Sequence, residues 1–491
     1  MVQTTSSSQV KRPTLIFTTF QFLIFFLILF PLLFALPKKW RHPVLLIASY
    51  YFYMCTVPWY IVVILFITLI DYFAGIKIEA AESKRGKKFY LVLSILANFG
   101  LLFAFKYAGF FAFTLNGNLG LSLPVLHVLL PVGISFHTFQ AVSYTVEVYR
   151  GRSPAEHNLL DYALYVAFFP QMVAGPIERP YNLLPQFHKD QSLTFDGFRA
   201  GMRAILWGLF KKMVVADTVA PFVSNVYTQP QRFSGLILLI ATCFFAVQIY
   251  CDFSGYSDIA IGLARIMGFR LMVNFRQPYF ARSIREFWRR WHISLSTWFR
   301  DYLYIPLGGS RVSTARYYAN LMIVFLLSGI WHGANWTFAI WGALHGFYMV
   351  FGVVSAPLRD KLRSSLGLGT TGFLPALLQM LTTFALVTLA WVFFRAANVQ
   401  DGLYILSHLL DWRGFQFMDL FALGLPRFEM VLACVFIGVV AVVEWLMAHE
   451  TPAVERLWSI RPFRWACYYA CIFGIIFFGV FEHVEFIYFQ F

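Results

Sequence analysis

The sequence predicts an all-α protein that crosses a membrane many times. Of its 491 residues, 59% are hydrophobic and only 13% are charged, which is about half the charged share of a typical soluble domain. Long uncharged apolar runs recur along the chain, and a soluble fold of this length could not bury them all. These observations exclude a soluble enzyme, a disordered scaffold and a peripheral membrane anchor.

The uncharged runs are the candidate membrane-spanning helices, because backbone in hydrocarbon must satisfy its own hydrogen bonds. A transmembrane β-barrel would instead show alternating segments of about ten residues. At about 20 residues per crossing, the apolar runs predict about eleven spans, with re-entrant or interfacial helices between them. The first run lacks a small-residue cleavage site and is expected to be a retained span. The runs comprise residues 15–36, 43–70, 107–146, 233–251, 317–358, 364–394 and 465–481.

The net charge of +15 lies largely in short loops between the apolar runs, which is typical of the cytoplasmic side of a membrane protein and not of a nucleic-acid-binding surface. The densest group runs from Arg265 to Arg311, where nine arginines accompany two acidic residues and aromatic side chains interleave with them. Apolar residues recur every three or four positions over 282–304 and predict one amphipathic helix.

This arginine-rich segment allows two interpretations, and both can hold for one helix. In the first, an interfacial helix pairs its arginines with anionic lipid. In the second, the arginines bind the phosphates of an anionic donor and an aromatic ring stacks on its base. The donor-binding candidates are Arg285, Arg289, Arg290, Trp291 and Arg300.

Two histidines in charge-poor sequence are the candidate catalytic residues. His332 lies 15 residues beyond Tyr317 within an uncharged stretch, which is about 22 Å along a helix and well inside a bilayer. An ionisable group at such depth is a functional candidate, and the small residues Gly329 and Gly333 allow a helix or a substrate to approach closely. The alternative is a neutral histidine that only packs the core. His292 is a second candidate if the arginine-rich segment folds into the helix bundle.

The segment 168–180 contains three prolines and one glycine, so a straight helix through it is not expected. It predicts either a re-entrant element or a plain loop. Motifs for nucleotide binding, zinc binding and α/β-hydrolase chemistry do not occur in the sequence. We therefore expect no metal and no bound cofactor.

Three sequence motifs resemble the membrane-bound O-acyltransferase (MBOAT) family. They are FFPQMVAGPIER at 168–179, REFWRRWHISLSTWFR at 285–300 with DYLYIPLGG after it, and LSGIWHG at 327–333. The likeness is to the bacterial branch, and the segments 40–53 and 486–491 favour its alginate O-acetylation members. The resemblance spans nearly the whole chain. It implies one integral-membrane domain over 1–491, with a motif-bearing core at about 130–355 between flanking helices at 14–113 and 373–491.

The resemblance implies that His332 is the family's catalytic histidine and that His292 is its second histidine. In the family, a bundle of helices encloses a tunnel that a thioester enters from the cytoplasm and an acceptor from the other side. His332 is expected to act as the base, while His292 or backbone N–H groups stabilise the oxyanion. The residues expected to line the tunnel are Trp331, Gly333, Asn335 and Pro176.

The implied activity is transfer of an acyl group, expected to be acetyl, by a multi-pass protein of the bacterial inner membrane. Acetyl-CoA or an acyl carrier thioester would be the donor. A periplasmic acetyltransferase of a polysaccharide-modification complex would receive the group and pass it to an exopolysaccharide. Three alternatives stay open: carrier-protein-dependent D-alanyl transfer to teichoic acid, a transporter with His332 as proton relay, and a structural subunit of an export complex.

Overall fold

The computed structural model describes residues 15–55, 57–125, 130–172, 175–365, 372–449, 451–482 and 486–487. In this part of the chain every regular element is helical, which confirms the predicted all-α class. Residues 488–491 of the terminal motif lie outside the described residues.

The described chain before residue 190 contains nine α-helices. They are α1 (Phe20–Ala35), α2 (Lys38–Met54), α3 (Ile61–Ala80), α4 (Lys84–Leu102), α5 (Ala108–Leu119), α6 (Ile134–Tyr149), α7 (Leu159–Ala167), α8 (Phe169–Met172) and α9 (Pro180–Phe187).

The described remainder of the chain contains thirteen further α-helices. They are α10 (Phe195–Leu209), α11 (Asp217–Thr228), α12 (Gly235–Ile266), α13 (Ile284–Arg290), α14 (Ile293–Phe299), α15 (Thr314–His332), α16 (Trp336–Val354), α17 (Ala356–Ser365), α18 (Phe373–Arg395), α19 (Val399–His408), α20 (Arg427–Ala448), α21 (Pro452–Ser459) and α22 (Arg461–Phe478).

Six helical stretches of the described chain are long and apolar enough to cross a membrane. Helix α1 is apolar but has only 16 residues. Several crossings therefore follow from the structure, whereas the predicted total of about eleven stays a prediction. The six stretches are Pro58–Ala80, Lys84–Leu119, Gly235–Ile266, Trp336–Val354, Phe373–Arg395 and Arg427–Ala448.

The first of two compact units comprises Met1–Gly100, Leu129–Val173 and Arg179–Leu193. Its helices α3 and α6 cross where Gly75 lies against the ring of Tyr144, so closely that a Cβ atom at Gly75 would be 2.4 Å from the tyrosine oxygen. The unit also buries several carboxylates, among them that of Asp71, which accepts hydrogen bonds from Ser94 and Asn98. Both features depend on small or polar residues inside the bundle.

The second unit comprises Leu101–Val128, Ala174–Glu178 and Thr194–Phe491. Helices α10 and α12 pack with little space between their backbones, because glycines face each other along the crossing. A Cβ atom at Gly208 would lie 2.5 Å from the carbonyl oxygen of Gly255, and one at Gly201 would lie 2.6 Å from that of Gly262. Small residues at such contacts allow close helix association in apolar surroundings.

The predicted single helix over 282–304 is wrong. Helix α13 ends at Arg290, Trp291 is extended, and His292 has a left-handed backbone conformation with φ 42° and ψ 56°. A residue in this conformation cannot continue a right-handed helix. The chain turns at His292 and then forms α14, so the apolar side chains of the pattern point inward from two short helices. Phe287, Trp291 and Leu295 are all buried.

The proline-rich segment has the interruption that the sequence predicts. Helix α8 ends at Met172, residues 175–179 are not helical, and α9 begins at Pro180. The described residues of this segment are buried. Whether it is re-entrant stays a prediction.

Candidate active site

His332 lies at a break between two helices of the second unit. Helix α15 ends at His332, because Gly333 is extended with φ −159° and ψ 151°. Asn335 then caps α16 by accepting a hydrogen bond from the backbone N–H of Thr337. This break leaves His332 at the helix end, where the last carbonyl groups have no partner within the helix.

Lys106 supplies those missing hydrogen bonds. Its Nζ donates to the carbonyl oxygens of Trp331, at 2.7 Å, and of His332, at 2.9 Å. A cation suits this position because the carbonyl end of a helix carries partial negative charge. Sequence reasoning missed Lys106, although it is the single charged residue between Phe89 and Leu119, in the apolar part of the helical stretch Lys84–Leu119, and this was an available signal.

Helices α15 and α16 approach each other closely on the N-terminal side of His332 in α15. A Cβ atom at Gly329 would lie 2.2 Å from the carbonyl oxygen of Phe338, and one at Gly342 would lie 2.4 Å from that of Phe325. The close approach expected at Gly329 is therefore made by a helix. At Gly333 a Cβ atom would be 2.1 Å from the ring of Phe338, so this glycine is also tightly packed.

Aromatic rings surround the buried imidazole of His332. The ring centroids of Trp331, Trp341 and Phe394 lie 5.0, 5.1 and 5.2 Å from that of His332. The three contacts are edge-to-face, an arrangement that aromatic rings prefer. Three aromatic rings therefore pack against the imidazole of His332 and limit its orientation.

His292 is fully buried in the same unit and is held by polar contacts. Its Nδ1 lies 3.1 Å from Oδ1 of Asn274, and its ring meets Phe253 edge-to-face at 4.6 Å. Among the described non-glycine residues, only Gln277 and His292 have a positive φ. Strained backbone of this kind concentrates at functional sites. Burial lowers the pKa of His292, which lies outside the six apolar stretches, to about 3.

The ring of Trp331 connects the two histidines. Its centroid lies 5.0 Å from that of His332 and 6.3 Å from that of His292. The structure thus brings together two imidazoles that are 40 residues apart in sequence. A third histidine, His345, lies in the aromatic core, where its Nδ1 accepts a hydrogen bond from Nε1 of Trp288 at 3.3 Å.

The predicted donor-binding residues occupy different surroundings. Arg285 and Arg289 are exposed. Arg290 pairs with Glu286 at 2.6 Å, and Arg300 pairs with the neighbouring Asp301 at 2.7 Å. Trp291 is buried among aromatic rings, so its stacking on a donor base would require this cluster to open. The donor-binding role of these residues stays a prediction.

The remaining predicted lining residues, Pro176 and Asn335, lie in different surroundings. Pro176 is buried, and the N–H of the next residue, Ile177, donates to Oγ of Ser294 at 3.0 Å. Asn335 is half-buried and donates through Nδ2 to the carbonyl oxygen of Ala397. Segment 175–178 thus contacts the helix that begins beside His292, a proximity that sequence spacing did not indicate.

Three side chains of the first unit could hold a metal ion. The ligand atoms of Glu156, Asp161 and His188 all lie within 4.8 Å of one another. His188 already pairs with Glu156 at 2.8 Å, and Asp161 pairs with His42 at 2.7 Å. These side chains already make close polar contacts with one another and with His42, and we assign the group no metal.

Residues 45–365 match the MBOAT, membrane-bound O-acyltransferase family. This match includes all three motifs and both candidate histidines, His292 and His332. The chain belongs to the MBOAT family and is an acyltransferase of membranes.

Individual relatives extend over most of the chain. The probable alginate O-acetylase AlgI of Pseudomonas aeruginosa is 42% identical over 412 residues, which cover 83% of this chain and 77% of that protein. The peptidoglycan O-acetyltransferase of Helicobacter pylori is 35% identical over 77% of this chain and 74% of its own length. The teichoic acid D-alanyltransferase of Bacillus subtilis is 29% identical over 44% of this chain and 58% of its own.

Proposed function

We propose that this protein moves an acetyl group from a cytoplasmic thioester, acetyl-CoA, across the bacterial inner membrane for O-acetylation of an exopolysaccharide. A periplasmic acetyltransferase would accept the group and esterify the polymer. About eleven spans would enclose the tunnel in which donor and acceptor meet. The observation that carries the proposal is the pair of buried histidines joined by Trp331, within a chain similar over most of its length to alginate O-acetylases.

His332 is the proposed base. A neutral imidazole at this position takes the proton of an acceptor hydroxyl, and the hydroxyl oxygen attacks the thioester carbonyl. The C–S bond then breaks, and the leaving thiolate receives the proton from His332. Enclosure by aromatic rings excludes water and so disfavours hydrolysis of the thioester. His292 is the second proposed catalytic residue.

The exposed arginines are the proposed anchor for the phosphates of the donor. Arg285 and Arg289 have no acidic neighbour as close as the one that Arg290 has in Glu286. Guanidinium groups bind phosphate in bidentate fashion. We therefore assign donor binding first to Arg285 and Arg289, and only secondarily to Arg290, Trp291 and Arg300. Trp331, Gly333, Asn335 and Pro176 remain the proposed lining of the tunnel.

Acetyl-CoA turnover by the purified protein in proteoliposomes, with the periplasmic acetyltransferase supplied as the acceptor, tests the proposal. The variant His332→Gln should lose turnover while keeping its fold. His345→Gln is the matched control, since it replaces another fully buried imidazole of the same unit with the same side chain. We expect the control to retain turnover, because the described contacts of the His345 ring are with aromatic side chains such as Trp288 and Trp341. A folded His332→Gln protein with wild-type turnover would overturn the site assignment.

The same preparation separates the other functions. A transporter would move substrate without consuming acetyl-CoA, and a protein of the D-alanyl type would need a carrier protein and stay inactive with acetyl-CoA alone. The likeness to the D-alanyl relative covers less than half of this chain, which favours the acetyl donor. An unchanged level of polymer acetylation in cells with both histidines replaced would instead indicate a structural subunit.

A further inference from the structure

Asn274 is held in one orientation beside His292. It is fully buried, and its Oδ1 accepts hydrogen bonds from the backbone N–H of Ser294 at 3.3 Å and from Oγ of Ser294 at 3.0 Å. Its Nδ2 donates to Oγ of Ser257 at 3.2 Å. Because a backbone N–H can only donate, the atom that faces it must be the amide oxygen. A flipped amide would set two donors against each other.

This orientation determines which nitrogen of His292 carries the proton. The same Oδ1 of Asn274 lies 3.1 Å from Nδ1 of His292. An oxygen that only accepts can pair with this nitrogen only when the nitrogen is protonated. A neutral imidazole has one N–H, so Nε2 then carries the lone pair.

The backbone of Asn274 holds the same turn. Its carbonyl oxygen accepts from the N–H of Ile293 at 2.9 Å, which is the residue that follows the left-handed His292. The single residue Asn274 therefore contacts the ring of His292 through its side chain and the strained turn through its main chain. Such partners fix ring orientation and tautomer in histidines that take part in chemistry.

We infer that Asn274 is a positioning residue that keeps His292 in the Nδ1–H tautomer, so that His292 enters the reaction as an acceptor at Nε2. This inference rests on the proposed catalytic role of His292. It also narrows that role, because a lone pair cannot donate a hydrogen bond to an oxyanion. Stabilisation of the oxyanion then falls to other donors, such as backbone N–H groups.

The tautomer can be measured directly on the full chain in bilayers without substrate. The ring 15N resonances of His292 are assigned by their loss in His292→Ala. We expect the proton on Nδ1 in the wild type and in Asn274→Asp, whose carboxylate also accepts from Nδ1–H. In Asn274→Ala the Nε2–H form should gain population. A proton on Nε2 in the wild type would overturn the inference.

Turnover separates positioning from folding. We expect Asn274→Ala to lower kcat for acetyl-CoA by at least about 10-fold, with KM little changed. A loss of this size is a fraction of the rate enhancement that a positioned acid–base group supplies. Asn274→Asp should recover much of that loss. The matched control is Asn320→Ala, which removes another fully buried asparagine of the same unit that donates to the carbonyl oxygens of Leu307 and Gly309.

The remaining outcomes test the positioning role of Asn274 separately from the proposed function of the protein. Equal losses of kcat in Asn274→Ala and Asn320→Ala would overturn the positioning role, and so would full kcat in an Asn274→Ala protein whose tautomer has changed. If Asn274→Ala does not fold, the tautomer and turnover of Asn274→Asp decide the matter. Undiminished turnover in His332→Gln would refute the proposed function alone, because the tautomer is measured without substrate.

Discussion

The contact between α15 and α16 predicts unequal effects of the same substitution at two glycines of one helix. A Cβ atom at Gly342 would lie 2.4 Å from the carbonyl oxygen of Phe325, whereas real Cβ atoms essentially never come closer than 3.0 Å to another heavy atom. The difference is 0.6 Å, and the atom that must yield is backbone. At Gly352, ten residues further along α16, a Cβ atom would meet nothing within 4 Å.

Gly342→Ala should therefore destabilise the protein by about 3 kcal/mol, the upper end of the usual cost of overpacking. Gly352→Ala should stabilise it by about 0.5–1 kcal/mol, because alanine loses less conformational freedom than glycine in a helix. The methyl group added at position 342 should push α15 away from α16. Because α15 ends at His332, the imidazole of His332 should move as well. A shift of this size at a catalytic group lowers kcat by roughly 10-fold.

The free energy of unfolding can be measured by titrating SDS into mixed micelles and following helical circular dichroism, and kcat can be measured with acetyl-CoA. The two substitutions add the same methyl group, so they differ only in what surrounds it. Equal stability of the Gly342→Ala and Gly352→Ala proteins would refute the close helix contact. Normal stability with a reduced kcat in Gly342→Ala would refute the packing explanation of the defect.

Two further predictions concern charged residues. Lys106→Met should lower kcat more than it raises KM and should lower the free energy of unfolding by about 2 kcal/mol, because two helix-end carbonyls lose their donor; unchanged kcat would separate Lys106 from the site. Arg289→Glu should raise the KM for acetyl-CoA and leave stability within about 0.5 kcal/mol of the wild type. Arg290→Glu should instead destabilise the protein by about 1–2 kcal/mol, since it sets two carboxylates together at Glu286. Similar stability of the two arginine variants would contradict this distinction.

The membrane class and the helical fold follow from composition and uncharged runs alone. All but the first two residues of the run 233–251 lie within α12, and the run 317–358 contains α16 and most of α15. The total number of spans does not follow as directly. Helices such as α10 combine apolar residues with charges, because one side faces protein in the folded chain. Their environment depends on tertiary packing, which hydropathy along the sequence does not record.

The candidate site likewise combines features that local sequence indicates with features that depend on tertiary contacts. His332 could be proposed from sequence, because an ionisable group deep in an uncharged stretch is a functional candidate and the motif LSGIWHG contains it. The break at His292 could not, because a regular spacing of apolar residues is equally compatible with one helix or with two short helices that both bury it. Lys106 and Asn274 act through contacts with residues more than 15 positions away. No local pattern specifies such partners.

The backbone at His292 gives an independent reason to assign chemistry to its ring. A left-handed conformation costs a residue with a Cβ atom roughly 1–2 kcal/mol, whereas glycine adopts it freely and asparagine tolerates it. Either residue would form this turn at lower cost than histidine does. The turn therefore accounts for the left-handed backbone at position 292, but it does not account for an imidazole side chain there. The proposed reaction, which uses the ring, would explain why histidine stands at this position, and Asn274 contacts both the ring and the turn.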